Sequence, residues 1–152
     1  MKAIIIENET EIPKELRFFV EQNNTLFESV DEQVMCIHRD IRDVARFILK
    51  ADAVIIMSTF IYKSQLERYV EEFTIGSFAY KNFTFFIYEP LMQFNYWLKN
   101  GGSFEQTGYF LSNLITLIKT HKVYSIEKIT ENNSYIYKRI EYNNSINQFE
   151  LV

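Results

Sequence analysis

One uninterrupted apolar run decides the predicted fold of this chain, and it reads Ala53-Val54-Ile55-Ile56-Met57. Apolar and polar residues do not alternate along it, which indicates a strand that is buried on both of its faces. Strands of this kind lie at the centre of parallel sheets that carry helices on both sides. The run therefore predicts an α/β protein in which it forms a central strand.

Short apolar runs and helical patterns alternate on either side of this strand. Before it, the sequence predicts a strand over residues 3–6, a helix that begins at Pro13, a strand over 34–37 and an amphipathic helix over 41–49. After it, the sequence predicts a helix over 66–73, a strand over 83–88, a helix over 104–120 and a strand over 123–126. Strands that alternate with helices in this way predict parallel pairing and right-handed crossovers.

The segment that follows, residues 129–152, is rich in Asn, Tyr and Ile. We interpret it as one or two edge strands with a hairpin that turns at Asn143-Asn144, and disorder of the last few residues is the alternative. The chain contains no internal repeat and no linker-like stretch. Residues 1–152 are therefore expected to form a single domain.

The composition argues against several classes of protein. The 152 residues carry 16 Lys and Arg against 20 Asp and Glu, a net charge of −4, and there is no basic stripe to neutralise the phosphates of a nucleic acid. No apolar run approaches the ~18 residues of a membrane span, and the first apolar run is too short for a signal peptide. The single cysteine, Cys36, is interpreted as a buried structural thiol. These features predict a cytoplasmic protein.

The residue types that most often bind metals or act as nucleophiles are not arranged for those roles. His38 and His121 lie far apart and lack Cys or carboxylate neighbours at ligand spacing, so no metal site is expected. Cys36 lies in an apolar run, and no third residue is present to orient a pair with His38. Asp40 and Asp43 are interpreted as the solvated start of a helix. We therefore assign no catalytic side chain from the sequence.

The predicted topology indicates where a ligand would bind. Open parallel sheets bind ligands outside the carboxyl ends of their strands, where the strand order reverses. Three loops of this chain lie at that edge in the predicted arrangement, over residues 7–12, 58–65 and 89–103. We expect functional side chains to lie in these loops.

Residues 51–73 read ADAVIIMSTFIYKSQLERYVEEF. This stretch resembles the flavodoxin-like NAD(P)H-dependent FMN reductases and quinone reductases, which have an ADAII strand, then Ser/Thr-Pro-x-Tyr, a small-residue turn and a helix of the form QLK-x-x-I-D. Residues 101–106 read GGSFEQ and precede a Leu-rich helix and the strand that contains Val123-Tyr124. This second stretch is similar to the late GG…Q…L…L helix and last strand of the same family.

The resemblance implies both a fold and an activity. The fold is a flavodoxin-like three-layer sandwich, with a five-stranded parallel sheet in the order 2-1-3-4-5, helices on both faces and the extra edge strands at the carboxyl terminus. The activity is non-covalent binding of FMN and transfer of hydride or electrons from NAD(P)H to a quinone, a flavin or a similar small-molecule acceptor. In such proteins the flavin carries the redox chemistry, while the chain supplies position and electrostatics.

The resemblance also implies which residues bind the cofactor. Those implied for the ring side of the flavin are Ser58, Thr59, Phe60, Ile61 and Tyr62. Those implied for the phosphate are Asn8 and Thr10, and the set is completed by Glu89, Gly101 and Gly102. Structural interpretations stay open beside these: Ser58 and Thr59 also suit the backbone groups of a strand end, and the two glycines suit a flexible turn.

The first loop departs from the family pattern. It reads Glu7-Asn8-Glu9-Thr10-Glu11 where the family has a Ser-rich or Gly-rich turn that holds the FMN phosphate. Each carboxylate near that phosphate would oppose it by about 1 kcal/mol or more at an effective dielectric constant of ~20. This loop supports a second hypothesis, in which a flavodoxin-like domain without flavin acts as an interaction or regulatory module.

Four aromatic residues lie at and after the end of the fourth predicted strand: Tyr88, Phe94, Tyr96 and Trp97. Such a cluster suits core packing or a contact between two copies of the chain, and it also suits a flat ligand. We therefore expect a homodimer.

Overall fold

The computed structural model describes residues 1–7, 12–34, 41–56, 70–92 and 104–152. Their strands are β1 (Lys2–Glu7), β2 (Ser29–Val34), β3 (Ala53–Ile56), β4 (Thr84–Tyr88), β5 (Lys122–Ile129), β6 (Ser134–Asn143) and β7 (Gln148–Leu151). Their helices include α1 (Lys14–Gln22), α2 (Ala45–Ile48), which follows a 3-10 turn (Ile41–Val44), and α3 (Phe104–Thr120). Residues 70–74 and 90–92 are also helical. Within these ranges no helix is both long and apolar enough to cross a membrane.

The strands form one sheet in the order β2-β1-β3-β4-β5-β6-β7. The first five strands are parallel, and their register is continuous, since Ile4 lies opposite Val54 and Val54 lies opposite Phe85. All four residues of β3 are buried, with at most 3% of any of them exposed. The α/β class, the mostly parallel sheet and the central position of β3 are therefore confirmed, and the five parallel strands have the predicted order.

An antiparallel hairpin extends the sheet beyond β5. Ile126 of β5 lies opposite Tyr137 of β6, and β7 pairs with the end of β6. The turns on either side of β6 each contain an asparagine with a positive φ, Asn133 at 58° and Asn147 at 51°, a conformation that Asn adopts more readily than most residues. The predicted edge strands and hairpin are confirmed, although the turn spans residues 144–147 and Asn143 is still paired with Gln148 as the last residue of β6. The sheet is seven-stranded and mixed, however, and not the five-stranded parallel sheet of the predicted fold.

Successive residues of the strands pack against different helices because side chains alternate between the two faces of a sheet. On the first face, Ile5 and Phe86 pack with Phe19 of α1. On the second face, Phe85 packs with residues of α2, of α3 and of the helical segment 70–74. Helices therefore lie on both faces of the sheet, as predicted.

The position of β2 differs from the prediction. β2 begins at Ser29 and ends at Val34, whereas the apolar run predicted a strand over 34–37. It is an edge strand, where charged residues are tolerated because one side faces solvent, and its Glu32 forms an ion pair with Arg17 of α1, with 2.8 Å between Oε1 and Nη1. Pairing with β1 determines where this strand lies along the chain. An apolar pattern alone therefore does not reveal its position. Residues 35–37 lie outside the described part of the chain.

The boundaries of the other helices and strands agree more closely with the prediction. α3 spans the residues predicted for it, and the helix predicted over 41–49 begins as a 3-10 turn. The helix predicted over 66–73 is described only from residue 70. β5 continues to Ile129, three residues past its predicted end, because its last residues pair with β6.

Candidate functional site

The carboxyl ends of the parallel strands meet at one edge of the sheet, which we call the carboxyl edge. Ile6 lies opposite Ile56, Ile56 lies opposite Ile87, and Tyr88 lies opposite Ile126. The chain leaves β1 for β2 on one side and later enters β3 on the other side of β1, so the strand order reverses between β1 and β3. Ligands of open α/β sheets bind outside such a reversal.

One of the predicted cofactor-binding residues, Glu89, lies in the described part of the chain. The others lie outside it: Asn8, Thr10, Ser58, Thr59, Phe60, Ile61, Tyr62, Gly101 and Gly102. Residues 8–11 follow the end of β1 directly, and residues 57–69 follow the end of β3. The connections that carry the predicted residues therefore leave the sheet at the carboxyl edge, on either side of the reversal.

Glu89 connects the end of β4 to β5. Its backbone N–H donates to the carbonyl of Ile126 at 3.0 Å, and its Oε1 accepts a hydrogen bond from the Lys128 N–H at 3.2 Å. Its φ of 37° lies in the left-handed region, which costs a non-glycine residue about 1–2 kcal/mol. The two hydrogen bonds offset this cost, so Glu89 has a structural function at the site where a ligand contact was predicted.

Two carboxylates, Glu89 and Glu127, lie close enough at the carboxyl edge to affect each other. Burial, and after it the Glu89 carboxylate, raise the pKa of Glu127 above its ordinary value, although Ser125 and, after it, Lys138 lower this pKa in part. The same two causes, in the same order, raise the pKa of the Tyr88 phenol. Both groups therefore resist a further negative charge, so this part of the edge favours an uncharged ring over a phosphate.

Tyr88 is the member of the predicted aromatic cluster that the structure describes, and Phe94, Tyr96 and Trp97 lie outside the described residues. Its ring is half-buried, with its centroid 6.5 Å from that of Tyr135 on β6. This contact joins the end of β4 to the carboxyl-terminal hairpin, so Tyr88 lies within the packing between strands.

Both ring nitrogens of His121 are used by the backbone. Nδ1 accepts a hydrogen bond from the Phe83 N–H at 3.3 Å, so Nε2 carries the proton and donates it to the Phe73 carbonyl at 3.0 Å. Burial lowers the pKa of His121, and these two backbone contacts counteract it in part. His121 is therefore a neutral core residue that joins β4 to the segment around Phe73.

The other residues considered for metal binding or nucleophilic chemistry are Cys36, His38 and Asp40, which lie outside the described ranges. Asp43 is exposed in the 3-10 turn before α2. Where side chains are described, no three His, Cys, Asp or Glu residues are grouped as metal ligands.

A cavity of about 530 Å³ lies at the opposite edge of the sheet, where β4 and β5 begin. Its lining includes Asn82, Thr84, Lys119, Lys122 and Arg139. The sequence pattern did not predict this cavity, because strand ends direct attention to the loops at the carboxyl edge. The basic residues of TLIKTHK, over residues 116–122, were a visible signal, but only the pairing of β5 with β6 brings Arg139 beside them.

Comparison of the chain with protein-family models, with curated proteins and with solved structures finds no match.

Proposed function

We propose that this protein is a flavodoxin-like reductase that binds FMN and uses NAD(P)H to reduce a quinone, a flavin or a similar acceptor in the cytoplasm. One observation carries the proposal: the parallel strands have the order β2-β1-β3-β4-β5, with the reversal between β1 and β3. Mononucleotides bind at this position in doubly wound sheets of the same order. The resemblance of residues 51–73 to the FMN reductases supports the same position, since these residues comprise β3 and the connection after it.

The residues proposed for the flavin follow from this position. Ser58 to Tyr62 follow β3 and would contact the ring, and Asn8 and Thr10 follow β1 and would contact the phosphate. The acidic surroundings of Glu89 and Glu127 suit the uncharged oxidised ring better than the phosphate. The phosphate is therefore expected beside the β1 connection, away from the end of β4. When bound, FMN would accept hydride from the nicotinamide and pass electrons to the acceptor.

An FMN titration tests the proposal directly. The absorbance of the purified full chain is recorded at the flavin bands, FMN is then titrated, and NADPH consumption is followed with a quinone present. The expected result is saturable FMN binding and acceptor-dependent NADPH consumption. No saturable binding at high micromolar FMN would overturn the proposal.

A charge-matched pair of variants tests the position of the phosphate. Replacing Glu9→Ser together with Glu11→Ser removes two charges next to it, so FMN binding should strengthen by about tenfold or more, since two repulsions of about 1 kcal/mol each are relieved. Glu21→Ser with Glu28→Ser makes the same change at exposed positions outside the carboxyl edge and should leave the affinity unchanged. Equal gains in both double variants would contradict the proposed position.

The second candidate function is an interaction or regulatory module without flavin, which acts as a homodimer. The observation that favours it is the acidic connection after β1, Glu7-Asn8-Glu9-Thr10-Glu11, where the phosphate would have to bind. Light scattering after size-exclusion chromatography tests the dimer. This candidate requires a dimer that forms with FMN absent, and a monomer at high protein concentration would contradict it.

A further inference from the structure

The cavity at the amino ends of β4 and β5 concentrates positive charge in an acidic chain. The protein carries a net charge of −4, yet Lys119, Lys122 and Arg139 all line this one cavity, and none of its lining residues is acidic. Its volume of about 530 Å³ is within the range of ordinary small-molecule sites. An accumulation of cations against the overall charge indicates a cavity that is suited to an anion.

Among the residues that the structure describes, the three cations have no carboxylate partner. Other basic residues of the described chain do form ion pairs, such as Arg17 with Glu32 and Lys81 with Asp52. No described carboxylate lies within ion-pair distance of the cations in the cavity. Their charge is therefore available to a ligand.

Arg139 gives the more specific observation. Its Nε is buried without a hydrogen-bond acceptor among the described residues, while its guanidinium lies over the ring of Tyr124 at 5.8 Å from the centroid. A buried donor without an acceptor costs about 1–3 kcal/mol, and more when the group is charged. The contact with Tyr124 holds the guanidinium in place, so an incoming oxyanion would meet a charged group whose orientation is already fixed.

The helix end beside the cavity explains part of this charge and not the rest. α3 ends at Thr120, and Lys119 in its last turn stabilises the negative end of the helix dipole. Lys122 and Arg139 belong to strands, and helix capping accounts for neither of them. The hydroxyl of Thr84 and the amide of Asn82 also line the cavity and add neutral hydrogen-bonding groups.

We propose that this cavity binds a small molecule through a phosphate or diphosphate group. The guanidinium of Arg139 donates to the phosphate oxygens, and Lys122 and Lys119 neutralise the negative charge of the phosphate. The side chains of Thr84 and Asn82 add further hydrogen bonds. The cavity lies where β4 and β5 begin, whereas the flavin is proposed beyond the ends of β1 and β3. The two ligands therefore bind at opposite edges of the sheet. The proposal of an anion site does not depend on the proposed reductase activity.

Isothermal titration of the full chain with pyrophosphate tests the proposal at low ionic strength, where screening is weakest. The expected result is saturable binding with one site per chain, weaker binding of inorganic phosphate and a loss of affinity as salt is added. Lys122→Gln and Arg139→Gln should each weaken pyrophosphate binding by about tenfold, the size of one good charge-assisted contact. A nucleoside diphosphate, ADP, is titrated in parallel, and it must lose affinity in the same two variants.

The control is Lys14→Gln, which removes the same charge from an exposed position at the start of α1. Its affinity for pyrophosphate should stay within about twofold of the wild-type value. No saturable binding at millimolar pyrophosphate would overturn the proposal, and so would an equal loss in Lys14→Gln. If Arg139→Gln fails to fold, as judged by its thermal melt, the proposal is tested with the variants of the two exposed lysines, Lys119→Gln and Lys122→Gln.

Discussion

The side chain of Gln22, at the end of α1, is hydrogen-bonded to the backbone of Tyr135 at the start of β6. Its Oε1 accepts the Tyr135 N–H at 2.6 Å, and its Nε2 donates to the Asn133 carbonyl at 3.3 Å. The neighbouring Asn23 donates from Nδ2 to the Tyr135 carbonyl at 3.1 Å. Two consecutive amide side chains therefore bind the carboxyl-terminal hairpin to the first helix.

This contact predicts that Gln22 contributes to stability although its side chain is largely exposed. Gln22→Ala leaves the partly buried Tyr135 N–H without its acceptor, so the free energy of unfolding should fall by about 1–3 kcal/mol. Urea denaturation measures the difference. Glu21→Ala, at an exposed position of the same helix, should change stability by less than about 0.5 kcal/mol. Equal effects in the two variants would show that the hydrogen bonds do not stabilise the hairpin.

His121 predicts a loss of stability in mild acid. Its pKa is lowered in the folded protein from the ordinary value of 6.5, so below that pH the unfolded chain takes up a proton that the folded chain does not. The free energy of unfolding should therefore fall as the pH drops below about 6.5, by at most about 1.4 kcal/mol per pH unit for a single group, until the lowered pKa is reached.

Thermal or urea unfolding between pH 7.5 and 5 measures this slope in the wild type and in His121→Gln. Gln can accept from Phe83 and donate to Phe73 without titrating, so the variant should lose the part of the slope that His121 causes. Identical slopes in the two proteins would assign the acid sensitivity to other groups.

Glu127 has a shift of the opposite sign. Because its pKa is raised in the folded state, the folded protein is penalised at neutral pH and the penalty is relieved as the carboxyl is protonated on acidification. Glu127→Gln should therefore raise the free energy of unfolding at pH 7 by up to about 1 kcal/mol, the range for partly exposed charges. This gain should shrink toward pH 4. Glu131→Gln, in the exposed turn after β5, is the control and should show no such gain.

Phe73 lies at the centre of an aromatic cluster on the second face of the sheet. The centroid of its buried ring is 4.9 Å from that of Phe85 and 5.1 Å from those of Phe78 and Phe83. Phe73→Ala should lower the free energy of unfolding by about 3–5 kcal/mol, because it removes a large buried side chain and leaves a cavity. Tyr80→Ala, at a side chain that is 75% exposed, is the control in denaturant melts. A loss below about 1 kcal/mol at Phe73 would contradict this packing.

The elements that the sequence predicted well are those whose pattern is local. β3 is apolar throughout because both of its faces are buried, and α3 has a regular apolar stripe, so each was found within a residue or two. The start of β2 at Ser29 was missed because an edge strand buries little and keeps charged residues such as Glu32. Its position is set by hydrogen bonds to β1, which no local pattern contains.

The same distinction between local patterns and distant pairing applies to the candidate sites. Strand ends and their loops predicted the carboxyl edge, and Glu89 lies there, although its carboxylate accepts a backbone hydrogen bond in β5. The anion cavity could not be found by this route, because Lys122 and Arg139 are neighbours only through the antiparallel pairing of β5 with β6.

By itself, the sequence determined the α/β class and the central strand, because burial on two faces and helical periodicity are written in adjacent residues. The order of the five parallel strands was expected only from the resemblance to the FMN reductases. The tertiary structure alone decided which distant polar groups meet. Gln22 and Tyr135 are 113 positions apart, and their hydrogen bond exists because β6 adds to the sheet and carries its first residues to the end of α1. Apolar burial is encoded residue by residue, whereas a hydrogen bond or a charge cluster depends on where the folded backbone brings two segments together.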